Sequence, residues 1–228
     1  MARWFTSDLH VGHANIVRFC DRPFLMPSEE HGAAVAVPDV HHMNVAICER
    51  INERVGPEDE LWILGDLAMG KLDNTLPIAK RLMAGRVVLV AGNHDRCHPS
   101  NGTRAERFID LYRDTDRTGL DEVVLTNTDL ALSDGTEVQV SHFPYALSPQ
   151  EVRARRGETA ASDRFAPWRP VDDGRWLLCG HVHDAWRQQG RQINVGLDAW
   201  GGWPVSEDAL VALMAEGPAD RECIPWTG

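Results

Sequence analysis

The sequence predicts an α/β fold, wound parallel in its first half and antiparallel in its second, where short strands are closely spaced. Three observations carry that prediction. Between residues 3 and 95, apolar runs of four or five residues alternate with amphipathic stretches, the pattern of right-handed βαβ crossovers and a largely parallel sheet. After about Leu120, apolar triplets at 123–125, 130–132 and 138–140 follow one another with no room for helices between them. Five of the apolar runs end in residues that coordinate ions or move protons, which points to one site at the carboxyl ends of the strands.

Residues 3–7 form a short strand delivering Asp8 and His10, which lie two apart and so project to one side of extended backbone. Gly12, His13 and Asn15 lead into an amphipathic helix start at Ile16, Val17 and Phe19. Residues 21–38 carry three prolines and no period, and read as a surface loop. Asp39 is placed to cap a helix of about four turns with Val40, Met43, Ile47 and Ile51 on one face. The strand at 60–64 ends in Gly65 and Asp66, and a helix over about 73–83 leads to the strand at 87–91. That strand runs into Gly92, Asn93, His94 and Asp95, an amide, an imidazole and a carboxylate on consecutive residues. Asp134-Gly135 marks a hairpin between the strands at 130–132 and 138–140, and Ser141-His142 follows the second of them. A charged stretch at about 146–174 reads as a variable loop or insertion with one or two helical turns. The strand at 176–179 ends in Gly180, His181, Val182 and His183; residues 186–189 and 192–195 close a hairpin around Gly190. Ser206 caps a last short helix through Leu210, Leu213 and Met214. No repeat, low-complexity tract or linker interrupts the chain, so residues 1–228 read as a single domain.

A length of 228 residues suffices for one buried core, and 43% hydrophobic with 25% charged residues is ordinary for a globular enzyme. The formal net charge of −11 argues against duplex nucleic acid and anionic membranes as partners. It leaves room for a small anionic substrate, because a bound metal reverses the field locally. Five widely spaced cysteines without a Cys-x-x-Cys pair read as reduced thiols. With no signal core and no membrane-length apolar run, the expected location is cytoplasmic.

The strand ends supply Asp8, His10, Asp66, Asn93, His94, His142, His181 and His183. Any one of them alone reads as a turn residue or helix cap; their recurrence after five strands does not. Oxygen and imidazole donors without a thiolate suit Mn²⁺, Fe or Zn²⁺ in a catalytic rather than a structural site. In order, Asp8-x-His10, Gly65-Asp66, Gly92-Asn93-His94-Asp95, His142 and Gly180-His181-x-His183 resemble the five-block signature of the calcineurin-like metallophosphoesterases. The stretch from Ser7 to Asn15, with Arg22-Pro23-Phe24 after it, is similar to a small phage and bacterial branch of that family. The resemblance implies two mixed sheets packed as a β-sandwich flanked by helices, a four-layer αββα arrangement. It also implies two divalent metal ions, with Mn favoured over Fe or Zn: one held by Asp8, His10 and His183, the other by Asn93, His142 and His181, with Asp66 bridging. Phosphoester hydrolysis would proceed by direct attack of a metal-bridging hydroxide, with His94 as general acid and Asp95 as its orienting partner.

The arginines of the protein Ser/Thr phosphatase branch are missing: Ala91 precedes Gly92, and Leu67, Ala68, Met69 and Gly70 follow Asp66. A phosphodiester is therefore the expected substrate, as a small phosphoester or nucleotide-type molecule. A phosphomonoester or dinucleoside polyphosphate is the near alternative, and a non-catalytic binding scaffold the alternative of another class. A nuclease on long DNA would need Arg153, Arg155, Arg156 and Arg164 to form a basic strip. Candidate substrate contacts are His13, Arg22, Arg96 and Trp186. Trp186 would stack on a base, whereas most of the six tryptophans from Trp168 to Trp226 read as packing for the second sheet. Residues 194–198 read as framing the pocket, and His31, His41, His42 and His98 as surface residues. The oligomeric state is left open.

Overall fold

Val87, Val88, Leu89 and Val90 are all buried, as the central strand of a parallel sheet covered on both faces requires. In the computed structural model, which describes residues 1–28, 30, 32–146 and 163–226, they belong to β5 (Arg86–Val90). The parallel neighbours of β5 are β4 (Glu60–Ile63) and β6 (Glu122–Val124), and β4 pairs in parallel with β1 (Arg3–Thr6). Across the other edge of β1 lies β12 (Val205–Ser206), antiparallel, giving the order β12-β1-β4-β5-β6.

The second sheet has the order β13-β10-β11-β9-β8-β7, formed by Ala219–Arg221, Gln188–Gly190, Gln192–Asn194, Trp176–Cys179, Glu137–Val140 and Thr128–Ala131. The hairpins at Asp134-Gly135 and Gly190 form as expected, joining β7 to β8 and β10 to β11. The second half is nevertheless mixed rather than antiparallel, because β8, β9 and β11 run parallel to one another. The apolar triplet 123–125 also belongs elsewhere than its spacing implies. It forms β6 of the first sheet, reached through α4 (Glu106–Arg113) and α5 (Thr115–Thr118). Phe108, Ile109, Leu111 and Tyr112 of α4 pack on the core, an amphipathic signal that the sequence reading passed over.

Period two along the strands divides the core into two layers. Leu61, Ile63, Val87 and Leu89 face Met43, Ile47 and Ile51 of α2 (Val40–Arg54), while Trp62, Val88 and Val90 face Val138, Val140, Leu178 and Ile193 of the second sheet. Leu177 and Cys179 pack outward against Tyr145 and Trp186. The result is the predicted α/β sandwich of two mixed sheets with helices outside. Asp39 caps α2 as expected, accepting the His42 N–H at 2.9 Å. Ser206 likewise caps α6 (Glu207–Ala215), accepting the Ala209 N–H at 3.3 Å.

Two expectations need correction. Residues 21–38 hold a separate hairpin, β2 (Leu25–Ser28) with β3 (Gly32–Pro38), preceded by the single turn α1 (Ile16–Phe19). Prolines fit there because a two-stranded ribbon has only edges. The helix expected over 73–83 breaks into α3 (Leu72–Thr75) and a 3₁₀ turn (Leu76–Arg81) at Pro77, which lacks the donor that would continue it. Most of the charged segment at 146–174, with Arg153, Arg155 and Arg156, lies outside the described residues, as does His31. Arg164 stacks on Phe165, 4.5 Å from the ring centroid. Among the described residues, no helix is long and apolar enough to cross a membrane.

Leu89→Ala is expected to cost ~2–5 kcal/mol of unfolding free energy, as the emptied site is walled by two packed layers. Asp39→Ala should cost only ~1 kcal/mol. Urea titrations of both variants check the contrast, and equal losses would contradict this account of the core.

Candidate metal centre

Each ligand-type residue sits just past a strand: Asp8 and His10 after β1, Asp66 after β4, Asn93 and His94 after β5, His142 after β8, and His181 and His183 after β9. Backbone bonds lock these loops to one another: Asp8 N–H to Gly65 O (3.0 Å), His10 N–H to Asp66 O (2.9 Å) and Gly180 N–H to His142 O (3.0 Å). Six described residues other than glycine have positive φ, and five of them are Asp8, His10, Asp66, His181 and His183, between +49° and +72°. Left-handed backbone costs ~1–2 kcal/mol for an L-residue, so the strain is concentrated where the side chains converge.

Asp66 lies at the centre. Its Oδ2 is 3.6 Å from His10 Nε2, 3.5 Å from His142 Nε2 and 4.0 Å from His94 Nε2. Asp8 Oδ1 is 3.9 Å from His10 Nε2 and 3.8 Å from His183 Nε2. These separations are too long for hydrogen bonds. They match donors sharing one ion, since atoms ~2.0–2.2 Å from a metal stand about 3–4 Å from one another. Asp8 Oδ1 and His10 Nε2 are buried without any hydrogen-bond partner, a state rare for buried polar atoms. Asp8, His10 and His183 form one group able to hold an ion, and Asp8, Asp66 and His142 a second. The residues thus fit a pair of divalent cations. Asn93 Oδ1 lies 3.1 Å from His142 Nε2. His181 stands at the margin, its ring 5.2 Å from His142 and 5.0 Å from Phe143, with its N–H on Asp8 Oδ2 at 3.0 Å.

Hydrogen bonds behind the rings set which nitrogen faces inward. His142 Nδ1 donates to Leu64 O at 2.8 Å, and His183 Nδ1 lies 3.0 Å from Asp198 Oδ2, leaving Nε2 toward the cluster in both. Burial, then the neighbouring Asp8 charge, pushes the Asp66 carboxyl well above its usual range. Burial holds His10 well below its usual value, and brings His94 to about 4 and His181 to about 3. Burial opposes charge on His183 as well, but Asp8 and the Asp198 hydrogen bond raise it to about 11. Two crowded carboxylates, with His183 inclined to carry charge while His10, His94, His142 and His181 resist it, describe a pocket short of positive charge, which cations supply.

Gly92 is needed for space rather than for a left-handed turn. A Cβ there would collide with Asp66 Oδ1 and stand 2.8 Å from His142 Nδ1. Asp95 does not orient His94. Buried completely, it accepts N–H bonds from Asp66 (2.8 Å), Leu67 (3.1 Å) and Gly92 (2.9 Å), so it staples the loop after β4 to the loop after β5. Burial and the nearby Asp66 raise its carboxyl to about 7.

The expected substrate contacts fare differently. Arg22 is buried, with 1% of its surface exposed, and spends its donors on Asp198 (2.8 and 2.9 Å), Asp8 O (2.6 Å) and Leu9 O (2.9 Å); this replaces the expectation that it meets substrate. His13 is half-buried beside His10, the ring centroids 5.3 Å apart, and its Nδ1 is unpartnered. Arg96 donates to Gly70 O at 2.9 Å and lies over Phe108. Trp186 packs on Leu177 and Cys179. His98, expected at the surface, is buried, with Nδ1 against Ser100 Oγ at 2.8 Å and its ring against Phe143 and Trp168; His41 and His42 are exposed. The sequence reading missed the work of Asp198 and Trp226. The polar run after β11 was its one pointer to Asp198.

Comparison with known proteins agrees with this geometry. The family model of the calcineurin-like phosphoesterases matches residues 1–185. The Gene 66 protein of Mycobacterium phage D29 is 36% identical over 212 residues, covering 86% of this chain and 88% of that one. The uncharacterized protein MJ1445 of Methanocaldococcus jannaschii is 32% identical, covering 96% and 94%. Such phage and archaeal relatives fit the small branch indicated by the N-terminal motif. A solved structure from Aquifex aeolicus, the protein of unknown function AQ665, superposes with a TM-score of 0.55 at 23% identity over 93% of this chain and 98% of its own, a likeness of fold. With its five motif blocks gathered in one pocket and the family match running across most of its length, the chain belongs to the calcineurin-like phosphoesterase family.

Proposed function

We propose that the protein hydrolyses a small phosphodiester with two divalent cations, Mn²⁺ favoured, held by Asp8, His10 and His183 on one side and by Asn93, His142 and His181 on the other, Asp66 lying between. The observation that carries this reading is the pair of buried, unpartnered donors, Asp8 Oδ1 and His10 Nε2, aimed at the same space as Asp66. When bound, the cations would supply Lewis-acid polarisation of the phosphoryl oxygens and a water acidified enough to attack phosphorus in line.

The chain's own residues do the rest. His94 is the most exposed histidine of the cluster, its side chain 40% exposed against 23% for His183, 2% for His10 and 0% for His142. That position suits contact with a leaving group rather than with an ion. Asp66 Oδ1 fixes the loop by accepting the His94 N–H at 2.8 Å. Burial, then His142 and His13, keep His94 neutral at rest; an arriving phosphoester's negative charge favours the imidazolium that can protonate a departing alkoxide. A diester is preferred because no described arginine is free beside Gly92 for a second phosphate charge: Arg22 is spent on Asp198, and Arg96 is tied to Gly70 O. A cytoplasmic location fits the five unpaired thiols.

Chelation is expected to abolish hydrolysis of bis(p-nitrophenyl) phosphate, and added Mn²⁺ to restore it, with the mono-ester a poorer substrate. A preference for the mono-ester would move the assignment to phosphomonoesters. A protein binding less than one metal and inert on every ester would be a scaffold. His94→Asn should keep both metals while losing ~10²–10⁴-fold in rate on an alkyl phosphodiester. The loss should be smaller on the p-nitrophenyl ester, whose leaving group needs no proton. Undiminished turnover of the alkyl ester by that variant would remove His94 from the mechanism.

A further inference from the structure

A buried arginine and a tryptophan beyond the family match converge on a single carboxylate behind the metal centre. Arg22 Nε and Nη2 grip Asp198 Oδ1 and Oδ2 at 2.8 and 2.9 Å, and the Trp226 Nε1–H donates to Asp198 Oδ1 at 3.0 Å. Arg22 also ties this unit to the first strand's end through Asp8 O and Leu9 O, and the Trp226 ring lies 5.5 Å from its guanidinium carbon. Asp198 Oδ2 also lies 3.0 Å from His183 Nδ1.

We propose that Asp198, clamped by Arg22 and Trp226, is a positioning residue that sets the cation affinity of the Asp8, His10 and His183 group but not that of the group around Asp66 and His142. The inference rests on the metal-centre reading above. A histidine ligand needs one ring nitrogen held as N–H so that the other presents its lone pair, and a carboxylate partner makes that lone pair more basic. Asp198 performs this task for His183, whose Nε2 faces Asp8 Oδ1 at 3.8 Å. On the other side, His142 Nδ1 rests on Leu64 O, a backbone group at the end of β4, which owes nothing to the C-terminal segment. The two sites therefore respond differently when Asp198 is altered. Both Asp198 and Trp226 lie past residue 185, where the family match ends, so this segment completes the centre rather than merely covering it. Cys20, His183 and Asp198 also lie close enough to hold an ion, but the guanidinium bonded to both Asp198 oxygens excludes a cation there.

Zn²⁺ titration calorimetry on the full, metal-free chain tests the proposal. The wild type should show two binding events. Asp198→Asn, isosteric and still able to accept from Arg22, should weaken one event by ~10–100-fold and leave the other unchanged. Trp226→Phe, which removes the indole hydrogen bond and part of the ring packed on Arg22 while leaving the Asp198 carboxylate in place, should weaken the same event by less and serves if the first variant folds poorly. In the Zn²⁺-loaded protein, the His183 Nδ1–H proton resonance should move upfield in Asp198→Asn while that of His142 stays in place, a change that loss of bulk stability would not produce. Unchanged affinities in both variants overturn the proposal, as does equal weakening of both events with a lower Tm. A wild type that binds no metal overturns the metal-centre reading together with it, whereas a two-site wild type with indifferent variants overturns the positioning role alone.

Discussion

Two carboxylates, Asp8 and Asp66, are buried on either side of the His10 imidazole with His142 and His183 beside them, and the surrounding structure is arranged around that fact. Placing ionised groups in a dry pocket is costly unless opposite charge meets them there. Among the described residues no lysine or arginine side chain does so; burial holds His10, His94 and His142 below their usual values, whereas Asp8 and Asp198 favour charge on His183. Arg22 approaches from behind, but its donors go to main-chain oxygens of Asp8 and Leu9, to Asp198 and to the Met43 sulfur. One imidazolium against two carboxylates leaves the pocket short of positive charge, and that deficit makes it attractive to cations.

Holding this arrangement in place requires a backbone that most residues resist. Five ligand-type residues sit in left-handed conformation, and each is kept there by bonds from a neighbouring loop rather than by its own preference. Asp95 is the clearest brace. Its three N–H contacts join residues 66, 67 and 92, so the two loops that present Asp66 and Asn93 move as one. The sheet beneath contributes rigidity, since Val88 and Val90 are packed between the two sheets. Strain at the site is thus sustained by apolar burial a few residues away, through strands too short to bend.

This division also explains what the chain discloses of itself. The strands ahead of Asp8, Asp66, Asn93 and His181 were legible because period, apolar content and the chemistry of the next residues are all local. The hairpin at 25–38 was hidden by prolines, which signal a break only where a strand must donate on both sides. β6 was read as a strand, but its place in the first sheet was hidden, because it depends on a crossover through residues 106–118. Adjacency misled for Asp95: the residue after His94 turns inward to backbone donors contributed 28 and 29 positions earlier. Arg22 was read as a substrate contact, and His98 as a surface residue, for the same reason: the partner that makes burial of Arg22 tolerable is Asp198, 176 positions away, and the rings that cover His98 are Phe143 and Trp168. Pairings across such separations leave no mark on local composition.

The charge balance also bears on substrate choice. By formal count, two divalent ions against Asp8 and Asp66 leave about +2 at the centre. A diester brings one negative charge, and the attacking hydroxide a second, so the sum closes without an arginine. A monoester dianion exceeds it, and enzymes that favour such substrates add a guanidinium beside the phosphate, where planar bidentate contact suits the oxygens. Here Ala91 stands before Gly92, and Arg22 is spent on bracing a ligand. An arginine buried behind the metals strengthens the grip on His183, whereas one placed in front would have gripped the phosphate. On the proposed reading, the buried guanidinium braces the centre, and recognition of a singly charged ester would fall to the ions and to the residues at the pocket mouth.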